Sequence, residues 1–242
     1  MTRATHQLRY FGAHKQLGEG RDRTQSPLER LPRLRLWIVS AAMALALVLS
    51  VSGVGGCSPR GAGESELLMV GIPTDRMSKS AAEQIGQNWC WAACIQMVLS
   101  ARGVESDQPT IVQRTFGSLL DMPGSSVDIG QNLTGWFESK SGRTFLTASV
   151  VAGHPKAGLL YSYLRGRMPV ILAIQSTGAT VGHAVVVTAA VFKTTPHGLE
   201  IREVVIRDPS PEFASTSGRR TLSEAEFSST GWYVLVDVIR SK

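Results

Sequence analysis

The chain has 242 residues, 43% hydrophobic and 18% charged, a balance that excludes both intrinsic disorder and a fibrous repeat. Its formal charge of +6 is unevenly placed: before Cys57 eight basic residues oppose three acidic ones, so the rest of the chain is close to neutral. A folded part so evenly balanced lacks the basic face of a nucleic-acid binder, and no nucleic-acid partner is expected.

Leu36 to Val51 (LWIVSAAMALALVLSV) is apolar apart from Ser40 and Ser50. Arginines precede it and the small residues Ser52 to Gly56 follow, the layout of an export signal. At sixteen residues it falls short of the ~20 that comfortably span a bilayer, so a cleaved signal fits better than a permanent helix. Val54-Gly55-Gly56-Cys57 resembles a bacterial lipobox, in which the cysteine is lipidated and becomes the new N-terminus. That resemblance implies a membrane partner through a lipid anchor at Cys57. Ser58 is not the Asp that retains many lipoproteins in the inner membrane, so the periplasmic face of the outer membrane is the expected address. Secretion or a signal anchor is the alternative. The stretch before Leu36 is long for a signal, as an early start codon would make it. The expected domains are therefore a leader (1–56), a Gly-rich flexible tether (57–72) and one domain (73–242).

Within that domain, Cys90 to Arg102 spaces Trp91, Ile95, Val98 and Leu99 on one helical face, with Asn88 standing where an N-cap would and Gly103 as the stop. Helices are also expected over Gln108–Phe116, with Pro109 in the first turn, over Ser126–Glu138 and over Lys156–Arg165. From Pro169 the period changes. The runs 169–175, 184–192, 199–207 and 232–239 are β-branched or aromatic and are separated by turn residues, which reads as strands. Helices first and strands afterwards imply an α+β fold, an N-terminal helical part packed on a C-terminal, mainly antiparallel sheet.

Few side chains after Cys57 can act as nucleophile or base: Cys90, Cys94, His154, His183 and His197. Cys90 opens a helix, where unpaired amides and the positive dipole end favour a thiolate. Such a thiolate needs a proton-handling partner, and His183, at the head of the most apolar strand, can supply one. Val185 and Val187 should share its face. Cys94, one turn below Cys90, reads as packing. A disulfide between the two would distort the helix, and C-x3-C without a second ligand pair is a poor zinc signature; no metal or cofactor is expected. Trp89 and Trp91 read as core and cleft wall, and His154 and His197, beside prolines, as solvated.

The stretch from Gln84 through Cys90-Trp-Ala-Ala resembles the Gln-x5-Cys-Trp-Ala signature of papain-like cysteine peptidases. It is most similar to a compact bacterial branch that includes plant-pathogen effector proteases and leader-peptide-processing peptidases. Gly182-His183 followed by β-branched residues, and Asp208-Pro209, resemble the second and third motifs of that branch. The resemblance implies a Cys90 nucleophile, His183 as base and acid, Asp208 orienting the imidazole, and Gln84 donating to the oxyanion together with the Cys90 N–H. Gln87 competes for the Gln84 role. Each residue also has a plain reading: a packed thiol, a core histidine, a turn aspartate, a solvated loop amide. The expected activity is hydrolysis of a peptide or protein substrate through a thioester. The alternatives are a cell-wall amidase or endopeptidase, an acyltransferase on the same triad, and a non-catalytic lipoprotein binding module.

Overall fold

The structure, a computed structural model, describes residues 66–139, 141–175 and 182–241. The expected leader, Cys57 and the first part of the tether lie outside the described residues. The sheet is built from β1 (Leu67–Gly71), β2 (Gly135–Ser139), β3 (Gly142–Ala152), β4 (Val170–Ile174), β5 (His183–Thr195), β6 (Gly198–Arg207), β7 (Arg219–Leu222) and β8 (Trp232–Ser241). Every pairing is antiparallel, in the order β2-β3-β8-β4-β5-β6-β7. The helices are α1 (Thr74–Ser80), α2 (Cys90–Ser100), α3 (Gln108–Phe116), α4 (Ser126–Asn132), α5 (Ala157–Arg165) and α6 (Glu224–Ser228).

The centre is β5, and its sequence AVVVTAAVF is apolar without alternation because both of its faces are covered. Ala184 and Val186 pack with α2, α3 and α4, while Val185, Val187, Ala190 and Phe192 pack with Leu160 and Leu164 of α5. One edge of β5 carries β4 opposite His183–Val187 and then β1 opposite Ala189–Lys193; the other carries β6. Helix α2 is wrapped on nearly all sides, with Trp91 to Ile95 and Met97 to Leu99 buried, so its single expected apolar face is in fact a whole circumference.

Several expectations need correction. The tether does not run to residue 72, because Leu67–Gly71 pairs with β5 and half-buries Leu68 and Val70. The helix expected to reach Glu138 stops at Asn132. Gly135, at φ 135°, turns the chain into β2, where Trp136 stacks edge-on against Phe145 directly across the strand pair (5.2 Å). The helical spacing of Leu133 and Phe137 was coincidental: both reach the same core, from a helix end and from a strand. The first half of the domain is thus not all helical. Asn88 is not the cap of α2; that position is Trp89, without a side-chain cap. Val185 and Val187 join the α5 side of the sheet, and it is Ala184 and Val186 that pack toward the helix bearing Cys90.

The ordering of β1 leaves a measurable signature. A Cβ on Gly71 would collide with Ala189 and the Thr188 carbonyl, so Gly71→Val should cost about 1–3 kcal/mol in urea denaturation, as overpacking does. Leu67→Ser, at an exposed position of the same strand, should stay within about 0.5 kcal/mol. Equal, negligible effects would mean that this segment behaves as a tether.

Candidate active site

Three elements distant in sequence deliver the central side chains. Cys90 is the first residue of α2, His183 the first of β5, and Asp208 follows the last residue of β6. The β5–β6 register sets Arg207 opposite Val186, which leaves Asp208 level with the beginning of β5. There His183 Nε2 and Asp208 Oδ1 lie 2.6 Å apart, and Cys90, in the same cleft, interacts with the same imidazole. With Nε2 engaged by the carboxylate, Nδ1 is the ring nitrogen left for Cys90.

The Asp208 side chain is 1% exposed and well supplied with donors. Besides His183, it accepts from the Ser210 N–H (3.0 Å) and from Arg220 Nε (2.9 Å), with Arg220 Nη2 in ion-pair contact at 2.8 Å. Below it, Gly218 is held at φ +75° with its carbonyl accepting from the Asp208 N–H (2.7 Å). A Cβ on Gly218 would strike the Asp208 carbonyl, so only glycine lets the backbone approach this closely.

Electrostatics reinforce the geometry. Burial by itself would push the His183 pKa down, but the hydrogen bonds to Asp208 and Cys90 and their charges outweigh it and raise it to about 9. Burial likewise opposes the ionised form of Asp208, yet His183, Ser210 and Arg220 hold its pKa below the ordinary carboxylate value. Cys94 lies in the core, and burial first, then the charges of Cys90 and Asp208, push its thiol well above the usual range. Both cysteines are free. His183 is therefore charged at neutral pH beside Cys90, whereas Cys94 is kept as an inert thiol.

Gln84, Gln87, Cys90, His183 and Asp208 share a cleft of about 450 Å³. Both donors of the Gln84 amide are turned onto its own loop, to the carbonyls of Gly86 (3.1 Å) and Gln87 (2.8 Å), and its backbone N–H donates to the Pro209 carbonyl (2.8 Å). The loop before α2 is thereby tied to the turn after Asp208. Its other support is Asp121, whose carboxylate accepts from the N–H groups of Gln87 (3.2 Å) and Asn88 (2.8 Å). Trp89 and Trp91 donate their indole N–H groups to the carbonyls of Leu120 and Met122, so they form cleft wall and core as expected. A smaller apolar pocket of about 140 Å³ opens beside Cys90 between Trp91, Ile129 and Trp232. His154 is exposed, its ring near that of Phe227, and His197 is exposed. Asp121, Arg220 and Glu226 were not foreseen. Only the Ser223-x-x-Glu226 capping box carried a local signal.

A family model described as "Papain-like cysteine protease AvrRpt2" matches residues 74–227, from the start of α1 into α6. The chain belongs to this family. It is accordingly a cysteine-type peptidase with a papain-like α+β fold. Among solved structures it is similar to the peptidase domain of Streptococcus ComA, a bi-functional ABC transporter involved in a quorum sensing pathway. That match has 15% identity and a TM-score of 0.44, over 65% of this chain and 97% of the other. It is also similar to a double glycine motif protease from an AMS/PCAT transporter in complex with its leader peptide, at 17% identity and a TM-score of 0.41, over 64% of this chain and 89% of the other. No curated protein matches.

The raised His183 pKa makes folding pH-dependent in a definite direction. The folded state holds this proton more tightly than the unfolded one, so the contribution is complete below the ordinary value of 6.5 and is lost as pH rises through about 9. Urea denaturation of the wild type should show stability falling across that window. His183→Gln should flatten the fall, and an equally steep fall in the variant would assign it to other groups.

Proposed function

We propose that this peptidase uses Cys90 as nucleophile, His183 as general base and acid, Asp208 as the orienting carboxylate, and Gln84 with the Cys90 N–H as oxyanion donors. The observation that carries this reading is the convergence of Cys90, His183 and a buried Asp208 hydrogen-bonded to it in one cleft, from three separate elements. The sulfur of Cys90 attacks the scissile carbonyl carbon, and the carbonyl π electrons move onto oxygen. That oxyanion accepts from the Cys90 N–H and from the Gln84 amide, which gives up its longer bond, to Gly86. His183 then hands its proton to the leaving amine as the C–N bond breaks, which yields a thioester. Water, deprotonated by the now neutral imidazole, attacks the thioester; the C–S bond breaks and the carboxylic acid product leaves.

Throughout, Asp208 fixes the ring through Nε2 and stabilises its charged form. On any cleaved peptide, kcat/KM should fall in the order wild type, Asp208→Asn, His183→Ala, the last by roughly 10²–10⁴-fold. The asparagine still offers an oxygen to His183, though its NH₂ then meets the donors of Arg220. Cys90→Ala should be inactive and folded, whereas Cys94→Ala should remain active and lose only about 1 kcal/mol as a small core truncation. Near-normal turnover by His183→Ala would dismantle this triad.

The same proposal places the enzyme in the cell envelope, with the domain held at the periplasmic face of the outer membrane by a lipid on Cys57 and acting on a peptide or protein. Support comes from the apolar segment 36–51 and the lipobox-like Val54–Cys57. Cys57→Ala should release the protein from membranes and abolish incorporation of labelled fatty acid. Persistence of both would reject the anchor while leaving the catalytic assignment untouched.

A further inference from the structure

Behind Asp208 stands a second ion pair that the reaction as written does not use. β7 pairs with β6 so that Arg220 lies opposite Ile206, two residues before Asp208 and hence on its side of the pleat. The guanidinium donates Nε–H to Asp208 Oδ2, with Nη2 2.8 Å from the same oxygen as an ion pair, donates Nη1 and Nη2 to Glu226 (3.1 and 2.7 Å), and rests over the Phe213 ring (4.9 Å). Glu226 is itself immobilised by the α6 capping box, accepting from the Ser223 N–H (2.9 Å) and hydroxyl (2.7 Å). A chain of hydrogen bonds thus runs from a helix cap to the nucleophile: Ser223, Glu226, Arg220, Asp208, His183, Cys90.

We propose that Arg220 and Glu226 are a positioning pair for the catalytic centre: the Arg220 fork fixes the Asp208 carboxylate against His183, and the Glu226 charge offsets that of Arg220 so that Asp208 keeps its electrostatic hold on the imidazolium. Geometry requires the first half. A buried carboxylate bonded to His183 and Ser210 through Oδ1 alone could rotate about its side-chain torsion, whereas the Arg220 Nε–H bond and Nη2 ion pair on Oδ2 hold its second oxygen as well. Charge balance requires the second half. Arg220 neutralises Asp208 and weakens its hold on a cation at Nε2; with Glu226 the cluster regains a net charge of −1. The short distances and the limited exposure of Arg220 (18%) and Glu226 (27%) keep these charges from being fully screened. In keeping with this, Arg220 and Ser223 outweigh burial at Glu226 and bring its pKa down to about 2.

Of the other charged or titratable groups around His183, Cys90 also favours the imidazolium but is unchanged by substitutions at Glu226 or Arg220, Cys94 is a buried thiol, Glu212 lines the same cleft, and Arg219 lies on β7 near Arg207. Arg207 of β6 turns its guanidinium away, to the carbonyls of Thr74, Thr216 and Ser217 and the Ser78 hydroxyl.

The inference rests on the Cys90–His183–Asp208 triad proposed above, and one experiment separates the two. In the full-length protein at low salt, the His183 ring proton is titrated by NMR, assigned with His183→Gln, and the rate of Cys90 alkylation by iodoacetamide is read by peptide mass spectrometry. Glu226→Gln keeps an acceptor for the cap and leaves Arg220 uncompensated; the His183 midpoint should fall by roughly 0.5–1 unit. Adding Arg220→Gln restores the net charge of −1, so the midpoint should return toward wild type, while alkylation stays slower than wild type because Asp208 is no longer held. A merely structural staple moves melting temperature alone, and the double variant then recovers nothing. A wild-type midpoint in Glu226→Gln, or a midpoint in the double variant at or below that of the single, overturns the proposal. If the double variant does not fold, Glu226→Gln decides by itself. Failure of the triad looks different: His183 of the wild type then titrates near 6.5, and Cys90 is alkylated no faster than a free thiol.

Discussion

Strand β5 has to satisfy partners on both faces and both edges, and the position of the Cys90, His183 and Asp208 side chains follows from how it does so. On one face it receives α2, which begins beside the start of β5 and brings Cys90 to His183. Along one edge β4 and β1 share its length; along the other β6 runs antiparallel and finishes level with that same start. An antiparallel neighbour runs back toward the start of β5, and with Arg207 opposite Val186 the next residue, Asp208, comes within diagonal reach of His183. His183 and Asp208 are adjacent because of that register. A one-residue slip of β6 would carry the carboxylate to the other side of the pleat.

Burial of Asp208 raises the stakes of every contact it makes. A carboxylate out of water costs several kcal/mol unless it is paired and hydrogen-bonded, and removing one partner of such a pair typically costs 3–5 kcal/mol. Here the compensation comes from an imidazolium, a backbone N–H and an arginine fork, each supplied by a different element: β5, the turn after β6, and β7. The neighbouring Arg207, also buried, is handled differently. It is given only neutral acceptors and staples α1 to the turn 211–216 through them. Two adjacent residues of opposite charge thus serve opposite ends, one turned toward the cleft and one toward the scaffold.

The wall opposite His183 is also set by backbone groups rather than by packing alone. Asp121 takes the N–H groups of Gln87 and Asn88, and the two tryptophan indoles take the carbonyls of Leu120 and Met122, so the segment 120–122 is laced to the loop that leads into α2. Gly124 lets that segment lie against the Trp91 ring, where a Cβ would not fit. The apolar pocket beside Cys90 owes its shape to this close approach.

The residues of the proposed triad could be singled out in the sequence because each sits in a short local pattern. Gln84 with Cys90-Trp-Ala-Ala, Gly182-His183 and Asp208-Pro209 are readable without knowing what lies next to what. So were α3, with Pro109 in its first turn, and the strands β4, β5, β6 and β8, whose apolar runs are long enough to have one meaning. The sequence alone also determined the balance of charge and the class of nucleophile. Tertiary structure decided what depends on pairing. β1 and β3 are too polar or too short to announce themselves and exist because β5 and β8 offer them hydrogen bonds; β2 exists because β3 does. The clamp of Glu226 on Arg220 and of Arg220 on Asp208 was invisible for the same reason. An ion pair is specified by the register of β6 against β7 and by where a helix begins, and those are set only when the sheet has closed around α2.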